Sequence, residues 1–184
     1  HVFVADFRNH RISVFVQDGT FVRTIGNGEG SGDGELNYPR GVAVSGEHVF
    51  VADNRNNRVS VFLRDGAFVR SFGSEGSDPG QLDDPCGVAV AGDLVFVTAQ
   101  NNDPVSVFGM DGAFVRAFGS RGSGGGEFSY PVDVAVMGDR VFVTDQINHR
   151  VSVHTLDGEF VRAFGSGGSG NGEFASPFGV AVAG

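Results

Sequence analysis

Five histidines and one cysteine are the side chains most able to ligate a metal or attack an electrophile. His1 and His48 open equivalent apolar runs, His10 and His149 follow equivalent asparagines, and His154 stands where other copies of the same segment carry Phe15, Phe62 and Phe108. A zinc site needs three or four such ligands converging on one point. Repeat-equivalent histidines lie on different units, and no regular supply of three is visible. They read as polar loop or half-buried residues, with His154 marking a local polar pocket, and neither a metal nor a cofactor is expected. Cys86 has no second cysteine to pair with and reads as an inert, semi-buried thiol. Gly165-Ser166-Gly167-Gly168-Ser169-Gly170 has the G-x-G-x-x-G spacing. Pro177 and a strand-like run follow it, however, where a dinucleotide site needs a helix N-terminus. All 13 basic residues are arginine, which excludes a Walker-type lysine, a Schiff-base lysine and a kinase-like catalytic lysine. No nucleophile elbow and no acid/base carboxylate pair is recognisable.

The elements that hold these residues repeat. Val2 to Gly26 returns at Val49 to Gly73, at Val95 to Gly119 and at Val141 to Gly165. Each copy is followed by a glycine-rich stretch and then PRGVAV, PCGVAV, PVDVAV or PFGVAV. Within each copy the apolar runs are short, β-branched and aromatic, with a period of two and no helical stripe. Asp18-Gly19, Asp65-Gly66, Asp111-Gly112 and Asp157-Gly158 separate two such runs, and Ser45-Gly46, Ala91-Gly92 and Met137-Gly138 separate two others. Glycine supplies the positive φ these turns need. Four antiparallel strands per copy is the signature of a propeller blade. The expected fold is therefore all-β: one domain over residues 1–184, with blade repeats 1–47, 48–93, 94–139 and 140–184. The chain enters at a blade's second strand and leaves with an innermost one. A closed four-bladed ring would complete the first blade, whereas an arc of a larger propeller would expose two sheet edges, an aggregation liability; the arc is favoured.

The pattern V-A/T-D-x-x-N-H-R-V-S-V-F-x-x-D-G-x-F-V-R-x-F-G followed by P-x-G-V-A-V resembles the NHL-repeat family of β-propellers. Asn9-His10-Arg11 and Asn148-His149-Arg150 match its triplet, Asn56-Asn57-Arg58 matches with one change, and Asn102-Asp103-Pro104 departs from it. The resemblance implies a propeller of six blades, of which this chain would be an arc, and a platform for a protein, a peptide or RNA; in some members it implies a zinc-dependent lyase or lactonase-like enzyme. Modules similar to this serve in larger proteins as substrate-recognition ends of ubiquitin ligases or as sensor ectodomains.

Comparison among the copies assigns further roles. Asp6, Asp53 and Asp145 end one strand while Arg11, Arg58 and Arg150 open the next; in the third copy both are lost together, to Ala99 and Pro104. Joint loss points to an Asp–Arg pair closing each loop, so that replacing Arg58 alone is expected to destabilise more than replacing both partners; the alternative is a binding ring of three pairs, opened on one side by the gap in the third blade. Arg23, Arg70, Arg116 and Arg162 persist in every copy and read as solvent-edge or interblade partners.

Variation concentrates in the loops of one face, which is where binding residues sit on a rigid scaffold. Phe7, Arg8, Asn54, Arg55, Gln100, Asn101, Gln146 and Ile147 form the candidate set, joined by Arg40, Val132 and Phe178 near the channel mouth, where Cys86 also varies. Net charge is −9, and by sequence position this face carries twice as many carboxylates as arginines. Nucleic acid and anionic membranes are therefore disfavoured partners. Phe7 and Ile147 beside arginines suit a non-catalytic contact with a protein or peptide, and an incomplete ring would add self-association.

Overall fold

The computed structural model describes residues 1–183, and its elements follow the repeat. β1 (Val2–Asp6), β2 (Arg11–Phe15) and β3 (Phe21–Ile25) form the first sheet; β4 (Pro39–Ser45), β5 (His48–Asp53), β6 (Arg58–Leu63) and β7 (Phe68–Phe72) form the second. β8 (Pro85–Ala91), β9 (Leu94–Ala99), β10 (Val105–Gly109) and β11 (Phe114–Phe118) make the third. β12 (Pro131–Met137), β13 (Arg140–Asp145), β14 (Arg150–Thr155) and β15 (Phe160–Phe164) make the fourth. Within these sheets each strand pairs antiparallel with a strand consecutive in the chain, while isolated parallel bridges such as Glu29 to Leu36 close the glycine-rich connections. Among the described residues no helix is long and apolar enough to cross a membrane.

Turn chemistry sets the register. At Asp65-Gly66 the glycine takes φ +98°, its N–H donates to Leu63 O at 2.9 Å, and the Asp65 carboxylate accepts the Ala67 N–H at 3.0 Å. A side chain at Gly66 would meet the steric barrier to positive φ.

The sheets stack face to face, and one apolar cluster fills each junction. Ile12, Val14, Ile25, Val49, Val51 and Phe62 pack between the first and second sheets. Phe50, Val59, Phe72, Val88, Val97 and Phe108 pack between the second and third, and Phe96, Val105, Phe118, Phe128, Val134 and Val143 between the third and fourth. Strand β5 thus buries Val49 and Val51 on one face and Phe50 and Ala52 on the other. A strand covered on both faces reads as a continuous apolar run, which explains the Val-Phe-Val motif.

Three sheets have four strands and the first has three. Residues 178–182, which repeat the innermost strand once more, form no strand and lie beside the fourth sheet: Thr144 Oγ1 donates to Phe178 O at 2.9 Å, and the Val180 N–H donates to Asp133 Oδ2 at 3.0 Å. β15 is exposed along its whole length, and Phe164 is 40% exposed where its equivalents Phe72 and Phe118 are buried. The described chain is thus an open arc, with β15 exposed and the inner edge of β1 without a strand partner. Along this arc the innermost strands approach closely. A Cβ on Gly41 would lie 2.4 Å from the Cys86 carbonyl oxygen, a contact only glycine avoids.

Candidate functional site

The loop-rich face is assembled by buried polar networks at each strand-to-strand loop. Asp53 is wholly buried; its Oδ2 accepts Arg58 Nε and Asn56 Nδ2, both at 2.9 Å, and Ser60 Oγ at 3.1 Å, while Oδ1 accepts the Asn37 N–H at 2.6 Å. The rest of the Arg58 guanidinium donates to the carbonyls of Ser31, Gly32 and Glu35, tying down the preceding glycine-rich connection. Asp145 and Arg150 repeat this arrangement at 2.8 Å, with Arg150 donating to Ser123, Gly124 and Glu127 carbonyls. Asp6 and Arg11 pair at 2.9 Å in the first sheet, where they are more exposed. Bonds from Asn9 and Arg11 hold the Asp6 carboxyl below its ordinary range. In the third sheet Asn102 Nδ2 donates to the carbonyls of Gly76 and Gln81 and does part of the arginine's work.

The histidines are engaged in the same scaffold. His10, Asn57 and His149 all adopt left-handed backbone. His10 Nδ1 accepts the Tyr38 N–H at 3.2 Å, Asn57 Oδ1 accepts the Asp84 N–H at 3.0 Å, and His149 Nδ1 accepts the Ser176 N–H at 3.0 Å. Each therefore fastens one blade's loop to the connection leading into the next. His154 is fully buried against Phe118, Phe128 and Phe160, with ring nitrogens 2.9 Å from Ser152 Oγ and 3.2 Å from Gly158 O. Burial pushes its pKa below the ordinary histidine value. No group of three or more His, Cys, Asp or Glu side chains among the described residues is placed to hold a metal ion.

At the axis the strand-entry positions converge. Arg40, Cys86, Val132 and Phe178, with Gly41, Val42, Asp133 and Gly179, line one cavity of about 280 Å³. Arg40 Nη1 donates to Cys86 Sγ at 3.1 Å and to Gln100 Oε1 at 3.0 Å, and its guanidinium lies 5.5 Å from the centre of the Phe7 ring. Burial pushes the Cys86 thiol up to about 11, outweighing the opposing pull of Arg40. Such a thiol stays protonated near neutrality and is a poor nucleophile. Burial also raises Asp133, against the lowering effect of the Val180 and Val134 N–H groups.

Two recesses open beside this cavity. Phe7, Arg8, Tyr38 and Arg55 line one; Ala5, Phe7, Pro39, Arg40 and Phe178 line the other, and Phe7 belongs to both. Its ring packs on Tyr38 with centroids 4.8 Å apart. Gln100, Asn101 and Ile147 meet elsewhere, in a recess with Asp103, Arg121, Ser129 and Tyr130. Gln146 is half-buried and takes part through its backbone, donating to Tyr130 O at 3.3 Å. Asn54 departs from the expectation of a ligand-facing residue. It is 1% exposed, and its amide donates to Pro85 O at 3.0 Å, because the 3₁₀ turn Asn54–Asn56 directs it into the next blade. Val132 is likewise buried, at 3% exposure, and reaches only the channel cavity. Tyr38 was not singled out from the sequence. The signal was available one position before the repeated proline, where Tyr38, Asp84, Tyr130 and Ser176 differ.

Residues 36–62 match the NHL repeat family, and residues 81–137 and 129–182 match the family described as 6-bladed beta-propeller, the latter two together spanning more than half the chain. The chain belongs to the NHL-repeat β-propellers. No curated protein matches the sequence significantly. Among solved structures, this NHL-repeat chain is similar to a catalytically inactive virginiamycin B lyase from Staphylococcus aureus with quinupristin. The TM-score is 0.63 and the identity 17%, over 86% of this chain and 49% of that one. Hydrazine synthase of Kuenenia stuttgartiensis gives a TM-score of 0.66 at 15% identity, over 88% and 44% of the two chains. A nidogen/laminin complex gives 0.54 at 17%, over 88% and 74%. The chain spans about half the length of the first two, and at these identities the likeness shows the propeller fold.

Proposed function

We propose that this NHL-repeat chain is a non-catalytic interaction module that binds a protein or peptide on its loop-rich face. The observation that carries the reading is the pair of recesses sharing Phe7, in which apolar side chains stand beside arginines on a rigid β scaffold. Aromatic and arginine side chains are the residue types that dominate binding energy at protein contacts. The nidogen/laminin likeness lends general support, since a related fold occurs there in a protein–protein complex. The buried and protonated Cys86 thiol gives the channel no ready nucleophile.

Selection of a random dodecapeptide display library on the folded chain tests the reading. Enriched peptides are expected to lose binding on Phe7→Ser with the melting curve unchanged. Enrichment indifferent to every substitution on the loop face would overturn it, as would turnover of a substrate with stoichiometric metal that chelation abolishes.

A further inference from the structure

The two recesses that share Phe7 are unusual within this chain in their charge. The chain carries −9, yet the side chains lining the recesses include Arg8, Arg40 and Arg55 and no carboxylate. The neighbouring acids are already engaged: Asp6 by Arg11 and Asn9, Asp53 by Arg58 and Asn56, and Asp84 by Asn101 Nδ2 at 3.3 Å, with Arg55 at a loose 3.7 Å. Arg8 is exposed and makes no ion pair among the described residues, and Arg55 is 62% exposed along its side chain. Arg40 spends one nitrogen on two neutral acceptors, Cys86 Sγ and Gln100 Oε1, and among the described residues has no carboxylate within ion-pair distance. Its remaining N–H donors have no hydrogen-bond partner among the described residues. A guanidinium lying against an aromatic ring keeps its in-plane fork for a bidentate carboxylate. Arg40 borders an apolar recess of about 400 Å³ walled by Ala5, Phe7, Pro39 and Phe178, which meets the recess of Arg8 and Arg55 at the shared Phe7.

We infer that the segment recognised here is a peptide that sets carboxylates on either side of one apolar side chain, the carboxylates meeting Arg8, Arg40 and Arg55 and the apolar group entering against Phe7 and Phe178. This rests on the reading of the face as peptide-binding and adds the chemistry of the partner. A nucleic-acid strand fits less well, although Phe7 and Tyr38 offer stacking surfaces. Its phosphates repeat along the whole strand, and beyond the patch they would run over the acidic connections that carry Asp33, Glu35, Asp78, Asp83 and Glu127. A short acidic peptide confines its charge to the patch.

The peptides enriched by the dodecapeptide library supply the probe. They are expected to carry Asp or Glu within one or two positions of Leu, Ile or Phe. A fluorescein-labelled copy of one such peptide, titrated by anisotropy, is expected to weaken about tenfold when its acids become amides, and about tenfold with Arg40→Gln or with Arg8→Gln, each equivalent to about 1.4 kcal/mol. Arg121→Gln, in the separate recess near Ile147, is expected to leave binding unchanged. Rising salt is expected to weaken the wild-type complex. Enriched peptides that lack acids, or binding that survives amidation and both arginine changes, would overturn the inference. Where such neutral peptides are still lost on Phe7→Ser, the peptide-binding reading stands and only the charge assignment falls. Enrichment of nothing removes both, and tighter binding of an oligouridylate than of any peptide replaces this partner with RNA.

Discussion

Replacing Arg58 with methionine keeps the aliphatic length and removes the charge that faces Asp53. In the wild-type protein the Asp53 carboxylate has no solvent exposure, and the Arg58 side chain retains 13% of its own. The substitution deletes the 2.9 Å ion pair and three bonds to the Ser31, Gly32 and Glu35 carbonyls. What remains around the carboxylate is neutral: the Asn37 N–H, Asn56 Nδ2 and Ser60 Oγ. Stranding a buried charge in this way costs about 3–5 kcal/mol. Asp53→Asn in the same chain removes the stranded charge, so the double variant is expected to recover part of that loss, with a coupling of about 2 kcal/mol between the two sites. Arg11→Met provides the control. Its pair with Asp6 is equally short at 2.9 Å, but the two side chains are 45% and 28% exposed. Water solvates the partner left behind, so the loss is expected to stay below about 1 kcal/mol. Urea titration followed by circular dichroism suits a chain without tryptophan, and the midpoints are compared at matched slopes. Additive effects at positions 53 and 58 to within about 0.5 kcal/mol, or an Arg11→Met loss equal to that of Arg58→Met, would refute the claim that burial makes this pair structural.

His154→Phe restores the residue that the other copies carry and frees Ser152 to turn toward Asp145, as Ser60 does toward Asp53. Because burial lowers the His154 pKa, the unfolded chain takes up the proton first as pH falls below about 6.5. Wild-type stability is therefore lost on the acid side of that value, and the variant is expected to gain more at pH 5 than at pH 7.5 in thermal melts; equal shifts at both would count against the argument. Gly41→Ala sets a Cβ 2.4 Å from the Cys86 carbonyl oxygen and is expected to lower stability by about 1–3 kcal/mol, whereas Gly46→Ala, with open space but positive φ, is expected to cost less. The unpaired inner edge of β1 invites pairing between molecules, so light scattering is expected to show a mass that rises with concentration and falls with Val4→Lys; a monomer at all concentrations would refute this.

Much of the architecture was legible because its determinants are local. Period-two runs of valine and phenylalanine make strands wherever they occur, Asp-Gly makes the turn between them, and repetition along the chain multiplies the unit. The joint loss of Asp and Arg at Ala99 and Pro104 flagged residues that meet at 2.8–2.9 Å in the other three copies, since a pair five residues apart is closed by one loop. The candidate site was legible only in outline. Phe7, Arg8 and Arg55 belong to variable loops and do share a recess, but the walls are completed from outside those loops, by Tyr38 one position before the repeated proline and by Ala5 within β1. Asn54 looked equally variable, yet its turn sends it inward to Pro85.

Sequence alone determined that this protein is a run of antiparallel four-stranded units with glycine-dependent turns and Asp–Arg-closed loops, because each of those features is written within a few residues. Tertiary structure decided which of the variable side chains meet. The angle between successive sheets brings Arg40, Cys86, Val132 and Phe178, 46 residues apart in turn, to one cavity at the axis. It also leaves Phe164 uncovered and the edge of β1 unpaired. That angle is set by how side chains of one sheet pack into the next, a sum over whole faces that no single stretch of the chain contains.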